Sequence, residues 1–540
     1  MPTKRPSKKW TIIIFMNAES NILYESFDLF DEIAAVGSSW DVNLVVVFDG
    51  LAVEGINDYK KYPSIYLVQK DEVYAKARPE IYYTDPAMEN LSDPKNLQRI
   101  MAYIKEHFPA ENTGFVYTGH GGAMHTDVQD GVMIAEIFKR DIELDGTDEE
   151  RYAQLEAWME KKVKEYNRCH HTEYKYYGFD AMDNELNIIL VLLVIPNEDA
   201  ELTFPRLKEA LEFYKNDKLA FLCLDCCWGM SVESAFLFKD VAKYLVASTD
   251  EMPSTGLGYR EMLGHLMKRP RITPDELANL FVSLYFSRNY ADYESSIDFS
   301  FMGVSLTCLD LNESEVGSLS DSLAGFANYL TANMPRLHIV IYNALHCCKD
   351  YTYSEPNEYG VYNIDLVWFL ENVIHFNKDP KKSVFPDLVK DKTLHLLASD
   401  LIRLVKTRVM KGFLGNNYPK LEPGDKGLGG KGITITFPLN RHQFDGSALA
   451  SMRLAKMDPW KEMLKTYYPF HKGDRNYFEK FLSENGELVN NWQKLFSKET
   501  FKENDGFDLK SGFVERGAND EFLDSKWRIH KVKDQAPKGL

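Results

Sequence analysis

Two residue types that can carry out nucleophilic chemistry stand at the ends of apolar segments of this sequence. His120 follows the segment 113–119, and Cys227 follows the segment 219–226. A short apolar run with an abrupt polar or glycine-rich stop is typical of a buried parallel strand that ends at the edge of an open sheet. Catalytic groups collect at the carboxyl ends of such strands. Two adjacent strand ends would therefore bring an imidazole and a thiol together, which is the arrangement of a cysteine hydrolase.

Acyl transfer by a thiol needs a thiolate, a proton acceptor and donors for the developing oxyanion. We predict that Cys227 supplies the thiolate, which a nearby imidazolium and a helix beginning around Ser231 would stabilise. His120 would serve as acid and base, because imidazole changes charge near neutral pH. Gly121, like the glycine after it, leaves the backbone open, so its N–H would meet a substrate carbonyl oxygen. The backbone N–H of Cys227 would be the second donor.

Each of these residues also has a structural interpretation. A histidine after a strand is often a satisfied structural residue, and cysteine is among the most buried residue types. The two strand-end contexts together favour catalysis over either structural role.

Alternating strand and helix patterns over the first 250 residues predict the elements that position this pair. Such alternation predicts βαβ units and an α/β fold, a three-layer α/β/α sandwich with a mostly parallel sheet. Gly37 is expected to end the first helix in the left-handed conformation. The strand candidates are 11–16, 42–48, 115–118, 219–224 and 244–248.

An insertion at about 135–196 separates the two strands that carry His120 and Cys227. It contains a charged helical pattern with a basic cluster at 161–168, and the apolar run 188–195, which predicts a strand. After about residue 265, helical patterns dominate as far as Leu404, beginning with a strong helix start at Thr273. One further strand is predicted at 433–437, and charged and polar residues prevail from about residue 473.

Composition excludes several classes of partner. The net charge of −18 argues against binding to nucleic acid and to anionic membranes. Seven cysteines, an odd and sparse set, favour free thiols over a disulfide framework. Residues 1–9 have the charge of a signal peptide without its apolar centre, which predicts a cytoplasmic protein, or a secreted one whose signal has been removed. The Cys/His groups at 169–171 and 346–348 lack the spacing of metal ligands, so no metal is predicted.

Several ordered segments resemble the clostripain-like cysteine peptidases. The opening residues 10–18, the Gly-His-Gly-Gly stretch at 119–122 and the segment 225–233 carry the strongest likeness. The resemblance covers roughly residues 9 to 470, with gaps. The remaining similar segments are 33–39, 42–49, 244–248 and 432–438, with Trp460 beyond them.

The resemblance implies a caspase-like α/β/α sandwich that cleaves peptide bonds, often after Arg or Lys. His120 then corresponds to the catalytic histidine and Cys227 to the nucleophile, with Cys226 as its neighbour. It implies a caspase-like core at 9–310, a C-terminal family region at 311–472 and a polar extension at 473–540. Calcium dependence, and self-cleavage between His120 and Cys227 at the basic cluster, are further expectations. The basic cluster is equally well interpreted as a solvated helix.

Substrate selectivity is expected to involve Asp225. It lies two residues before Cys227, on the same face of a strand, and in the resemblance it belongs to the S1 pocket. A carboxylate there would pair with a guanidinium or ammonium group; the alternative is that Asp225 caps the following helix. Asp250 is a second substrate-binding candidate, although residues 248–256 differ from the pocket loop expected of the family. Glu233 is interpreted as structural.

Two other functions stay open at this stage. The same fold could serve as a catalytically silent binding or scaffold protein, or the thiol could hydrolyse small amides. For the leading interpretation, a cysteine endopeptidase, the partners are protein or peptide substrates. No cofactor is required by the proposed chemistry, and a monomer is favoured.

Overall fold

The computed structural model of the protein divides into two compact units. The first unit comprises residues Met1–Cys227, Asp240–Val246 and Met252–Arg288, and the second comprises Trp228–Lys239, Ala247–Glu251 and Asn289–Leu540. The structure describes residues 7–18, 22–50, 64–71, 76–84, 91, 93–121, 131–139, 146–171, 175–183, 188–196, 202–250, 252, 256–295, 305–346, 348, 363–378, 391–415, 417–418, 428–429, 431–438, 441–445, 447–470, 507–508 and 513–514.

Strands and helices alternate along the first unit. Its strands are β1 (Lys8–Ala18), β2 (Val42–Gly50), β3 (Ser64–Asp71), β4 (Lys76–Thr84), β5 (Ala110–Thr118), β6 (Gly131–Lys139), β7 (Lys175–Asp183), β8 (Ile188–Pro196), β9 (Phe221–Asp225) and β10 (Tyr244–Ala247), the last residue of which belongs to the second unit. The helices are α1 (Leu23–Val36), α2 (Pro94–His107), α3 (Asp148–His170), α4 (Phe204–Leu211), α5 (Val232–Phe238, in the second unit), α6 (Tyr259–Lys268) and α7 (Pro274–Ser295, of which the residues from Asn289 belong to the second unit).

The main sheet of the first unit has the strand order β10-β9-β5-β1-β2-β3-β4. From β9 to β2 the neighbouring strands are parallel, whereas β3 and β4 join antiparallel. Every residue from Trp10 to Met16 in β1 is buried. Because side chains on a strand alternate between faces, both faces of the sheet are covered. This confirms the predicted α/β class with a mostly parallel central sheet.

Polar caps fix where the helices begin. Asp93 accepts a hydrogen bond from the Lys95 N–H ahead of α2, and Thr203 accepts one from Arg206 ahead of α4. In each case proline is among the first two helical residues, where no N–H partner is required. The Thr273 N–H and hydroxyl both donate to the Glu276 carboxylate, which confirms the helix start expected at Thr273.

All five predicted strands of the alternating region are present, but two details differ. Gly37 ends α1 with φ 70° and ψ 167°, which is not the left-handed helical conformation that was expected. A Cβ at Gly37 would also lie 2.5 Å from the backbone nitrogen of Lys70, so the approach of β3 requires glycine there. The strands β3 and β4 were not predicted.

The insertion between β5 and β9 forms a sheet of its own. Its strand order is β6-β8-β7, and both pairings are antiparallel. The predicted strand at 188–195 is therefore confirmed, but it lies outside the main sheet. The basic cluster lies in α3, where Lys161, Lys164 and Arg168 are exposed. Proteolysis favours exposed loops over helices, so a cut there requires α3 to unwind; self-processing stays a prediction.

Helices dominate the second unit, as expected. Its helices after α7 are α8 (Glu313–Ala332), α9 (Met334–His346), α10 (Leu366–Lys378), α11 (Lys392–Leu404), α12 (Arg441–Asp445), α13 (Ala448–Ser451) and α14 (Asp458–Tyr467). Its strands are β11 (Ser305–Asp310), β12 (Asn363–Asp365), β13 (Met410–Gly415), β14 (Asn417–Tyr418), β15 (Leu428–Gly429), β16 (Thr434–Thr436), β17 (Phe507–Asp508) and β18 (Phe513–Val514).

An aromatic cluster forms part of the second unit's core. Phe437 packs against Phe369, Trp460 and Tyr467, with ring centroids 5.7 Å apart in each pair. The strand β16 confirms the strand expected at 433–437.

The domain boundaries at 310 and 472 stay predictions, and most of the polar extension lies outside the described residues. In the described part of the chain, no helix has both the length and the hydropathy to span a membrane.

Acid should weaken the fold through His338 of α9. Burial lowers the pKa of this imidazole from 6.5 to about 4. The unfolded chain therefore binds the proton first, and stability contributed by neutral His338 is lost as the pH falls from about 6.5 through 4, by up to about 3 kcal/mol. Thermal melting at pH 7 and at pH 4.5 should show a smaller acid-induced drop for His338→Gln than for the wild type. An equal drop in both proteins would contradict the assignment.

Candidate active site

The strands that lead to His120 and Cys227 are direct neighbours in the sheet. β5 and β9 pair in parallel, with Thr118 opposite Asp225. His120 and Cys227 each lie two residues beyond this pair. The predicted strand ends thus meet at one edge of the sheet, and both His120 and Cys227 are half-buried there.

Gly121 packs directly on the two cysteines. A Cβ placed on Gly121 would lie 2.4 Å from the carbonyl oxygen of Cys227 and 2.7 Å from the Sγ of Cys226. Backbone contact this close is possible only without a side chain. The segment that carries His120 is therefore held against the segment that carries Cys227.

The two cysteines have different environments. Cys226 is only 2% exposed, and burial, together with the neighbouring Cys227 and Asp225, raises the pKa of its thiol well above the ordinary value. The Sγ of half-buried Cys227 instead accepts a hydrogen bond of 3.3 Å from the Met252 N–H. Because a hydrogen bond donated to sulfur stabilises negative charge there, Cys227 has the better environment for a thiolate.

Two polar side chains fix the backbone at His120. The Tyr117 hydroxyl donates to the carbonyl oxygen of His120 over 3.2 Å. The side-chain amide of Asn17 in turn donates to the Tyr117 hydroxyl, also over 3.2 Å. The sequence does not indicate these two hydrogen bonds, because Asn17 and Tyr117 come from different strands and resemble ordinary strand residues.

Asp225 lies almost completely inside the first unit. It is 5% exposed, and its carboxylate accepts hydrogen bonds from the Tyr259 hydroxyl at 2.6 Å, from the Leu257 N–H and from the Thr118 side chain. Burial is the largest effect and raises the pKa of Asp225 from 3.8 to about 7; these hydrogen bonds partly oppose it. The carboxyl group is thus part-protonated near neutral pH.

The helix that follows Cys227 is capped by a residue other than Asp225. Ser231 is the N-cap of α5 and accepts from the Ser234 N–H, which confirms a helix start at Ser231. Asp225 is therefore not the helix cap that was considered as its alternative role. Glu233 is fully buried, and its Oε1 accepts from the Thr436 N–H at 3.0 Å, in keeping with a structural role.

Other candidates have less geometry to describe. Asp250 is buried in the second unit, where its N–H donates to the Ser248 hydroxyl and its carbonyl accepts from the Trp228 N–H. Trp228, next to Cys227, has a φ of 52°, which is strained for a bulky residue. Gly122, the glycine after Gly121, lies outside the described residues.

Among the described residues, no three His, Cys, Asp or Glu side chains group as metal ligands, and none of the six described cysteines is in a disulfide bond. The calcium dependence expected from the resemblance stays a prediction.

Comparison with known proteins supplies the class. The clostripain family, a family of C11 peptidases, matches residues 14–148 and 195–413, well over half of the chain. The chain therefore belongs to the clostripain family and is a cysteine-type peptidase. The unmatched stretch 149–194 falls within the insertion. No curated protein matches the chain.

Solved structures of cysteine proteases show a general likeness. A secreted C11 cysteine protease from Bacteroides thetaiotaomicron, in complex with an irreversible peptide inhibitor, is 14% identical with a TM-score of 0.49, covering 84% of this chain and 99% of its own. An inactive zymogen C11 protease from Parabacteroides distasonis is 11% identical with a TM-score of 0.47, covering 86% and 99%. A B. fragilis cysteine protease is 18% identical with a TM-score of 0.33, covering 49% and 95%.

Gly121→Ala should damage the site by displacing the segment that carries His120. The added methyl group meets the backbone of Cys227, which cannot move aside cheaply. A displacement of about 1 Å can lower a rate by roughly 100-fold, and we expect a loss of that order in kcat/KM for a peptide substrate. Gly264→Ala in α6 is the matched control, because a Cβ there meets nothing within 4 Å. Equal activity of the two variants would contradict this packing role.

Proposed function

We propose that this peptidase is an endopeptidase that hydrolyses peptide bonds through a Cys227–His120 dyad, with a preference for Arg or Lys at P1. The observation that carries the proposal is the contact of Gly121 with Cys226 and Cys227, which places the histidine and cysteine segments side by side. Family membership supports the peptide substrate.

The proposed reaction proceeds through an acyl-enzyme. His120 removes the proton from the Cys227 thiol, and the sulfur attacks the scissile carbonyl carbon. The N–H groups of Gly121 and Cys227 are the proposed donors to the tetrahedral oxyanion. His120 then gives its proton to the leaving amine, and the C–N bond breaks. A water molecule, deprotonated by His120, attacks the thioester, which releases the acid product and the free thiol.

The Cys227 assignment is supported by the difference between the adjacent thiols. Cys226 has a raised pKa and 2% exposure, so it holds its proton and is poorly accessible to a substrate. Cys227 is more exposed, and its sulfur accepts a hydrogen bond from the Met252 N–H. Cys226 packs closely against Gly121, which supports a packing role for Cys226.

Cys227→Ala should abolish peptide hydrolysis, whereas Cys226→Ala should retain most of it. We expect a loss of roughly 10⁴-fold or more in kcat for Cys227→Ala and nearly the same for His120→Ala, because members of a catalytic unit do not act additively. Initial rates with a fluorogenic peptide library measure all three. His125→Ala is the control and should be active. If Cys226→Ala or His125→Ala is the crippling change, the dyad is assigned wrongly.

The proposed P1 preference depends on Asp225. A carboxylate in a partly dry pocket favours Arg, which offers two parallel hydrogen bonds, over Lys. Three donors already occupy the Asp225 carboxylate, which leaves about one of its roughly four acceptor positions, so Arg can form both hydrogen bonds only if it displaces one of these donors. Its pKa of about 7 adds a pH signature, because only the ionised form attracts a cation.

Asp225→Asn should lower kcat/KM for P1-Arg substrates by two to four orders of magnitude more than for neutral P1 substrates. The reason is that losing one partner of a buried charged pair costs about 3–5 kcal/mol. In the wild type, the Arg preference should rise as the pH increases through about 7, and in Asp225→Asn it should stay flat. A uniform loss for all substrates would exclude the S1 role, and Asp250→Asn would then be the next variant to measure.

A further inference from the structure

A loop that follows β10 contacts the nucleophile segment at two points. We define the β10 loop as residues 252 and 256–259. At its beginning, the Met252 N–H donates to the Sγ of Cys227 at 3.3 Å. At its end, the Tyr259 hydroxyl donates to the Oδ2 of Asp225 at 2.6 Å. Asp225 and Cys227 are two residues apart, so the β10 loop lies along this short segment.

Tyr259 is well placed to anchor the β10 loop. It is fully buried as the first residue of α6, and α6 packs against α1. Burial, and then the negative charge of Asp225, raises the pKa of its hydroxyl well above 10, so the group stays protonated and donates. When Asp225 is ionised, this short hydrogen bond has a charged acceptor and is about twice as strong as a neutral one.

Glycines let the β10 loop reach both contacts. Gly256 has a φ of 61°, and a Cβ on it would lie 2.9 Å from the Leu29 side chain and 3.3 Å from the Asp225 Oδ2. Gly258 precedes Tyr259 in the left-handed conformation, with φ 75° and ψ 60°. The backbone is therefore wrapped closely around the Asp225 carboxyl, and the Leu257 N–H adds a further donor.

We propose that Tyr259 is a positioning residue for the nucleophile: its hydroxyl, bound to Asp225, holds the β10 loop so that the Met252 N–H stays on the Cys227 sulfur. The proposal rests on the proposed role of Cys227. It assigns Tyr259 an effect on thiol reactivity that is independent of the P1 side chain, in contrast to the charge-dependent S1 role of Asp225.

Tyr259→Phe tests this role because it removes one hydroxyl and keeps the buried ring. We expect kcat to fall about tenfold for both P1-Arg and neutral P1 substrates, with KM changed by less than about twofold. The rate of Cys227 alkylation by iodoacetamide should fall similarly, and its pH midpoint should move upward. Peptide mass spectrometry reads alkylation at Cys227 separately from exposed Cys169.

Tyr214→Phe is the matched control. Tyr214 is also buried in the first unit, and within the described residues its hydroxyl has no hydrogen-bond partner, so this variant should match the wild type in kcat and in alkylation. Unchanged kcat and alkylation in Tyr259→Phe would overturn the proposal, whatever its melting temperature. So would a loss confined to P1-Arg substrates, since that would assign Tyr259 to the S1 pocket.

The wild type separates failure of this inference from failure of the proposed function. If alkylation of Cys227 leaves wild-type hydrolysis intact, Cys227 is not the nucleophile and both proposals fall. If alkylation abolishes hydrolysis but Tyr259→Phe alkylates normally, only the positioning role falls.

Discussion

The hydrogen bonds of the Asp225 carboxyl group join three parts of the chain that build the site. Thr118 belongs to the strand that leads to His120, Asp225 ends the strand that leads to Cys227, and Leu257 and Tyr259 come from the β10 loop. Burying a carboxylate is costly, and its raised pKa shows that the hydrogen bonds offset only part of that cost. Such an energetically unfavourable group is characteristic of functional sites, where residues are held in place at the expense of stability.

A second constraint is steric and acts on the segment that carries Cys227. Gly121 lies against the carbonyl oxygen of Cys227 and the sulfur of Cys226. The segment that carries His120 can approach this closely only because Gly121 has no side chain beyond a hydrogen atom. Cys226 supplies the surface on which this glycine rests. The two adjacent cysteines thus have different contacts: Cys226 packs against Gly121, and the Cys227 sulfur accepts a hydrogen bond from the Met252 N–H.

The sequence was sufficient for the parallel part of the sheet and for the two strand ends, because each carries a local signal. The apolar run before His120 and the one before Cys227 both stop abruptly, and parallel pairing then brings the stops together. It was not sufficient for the contacts made by the β10 loop. The Met252 N–H is a backbone group with no side-chain signature, and Tyr259 is 34 residues from Asp225. Likewise, β3 and β4 join the sheet antiparallel, which the alternating pattern does not indicate.

The first and last strands of the insertion pair with each other. β6 and β8 pair along nine residues, from Gly131 opposite Pro196 to Lys139 opposite Ile188. A break of the chain inside α3 would leave β6 on one fragment and both β7 and β8 on the other, and the ladder between β6 and β8 would bridge them. The pairing of β5 with β9 crosses the same break. A nicked protein would accordingly migrate as two bands under denaturing conditions while remaining one non-covalent assembly in its native state.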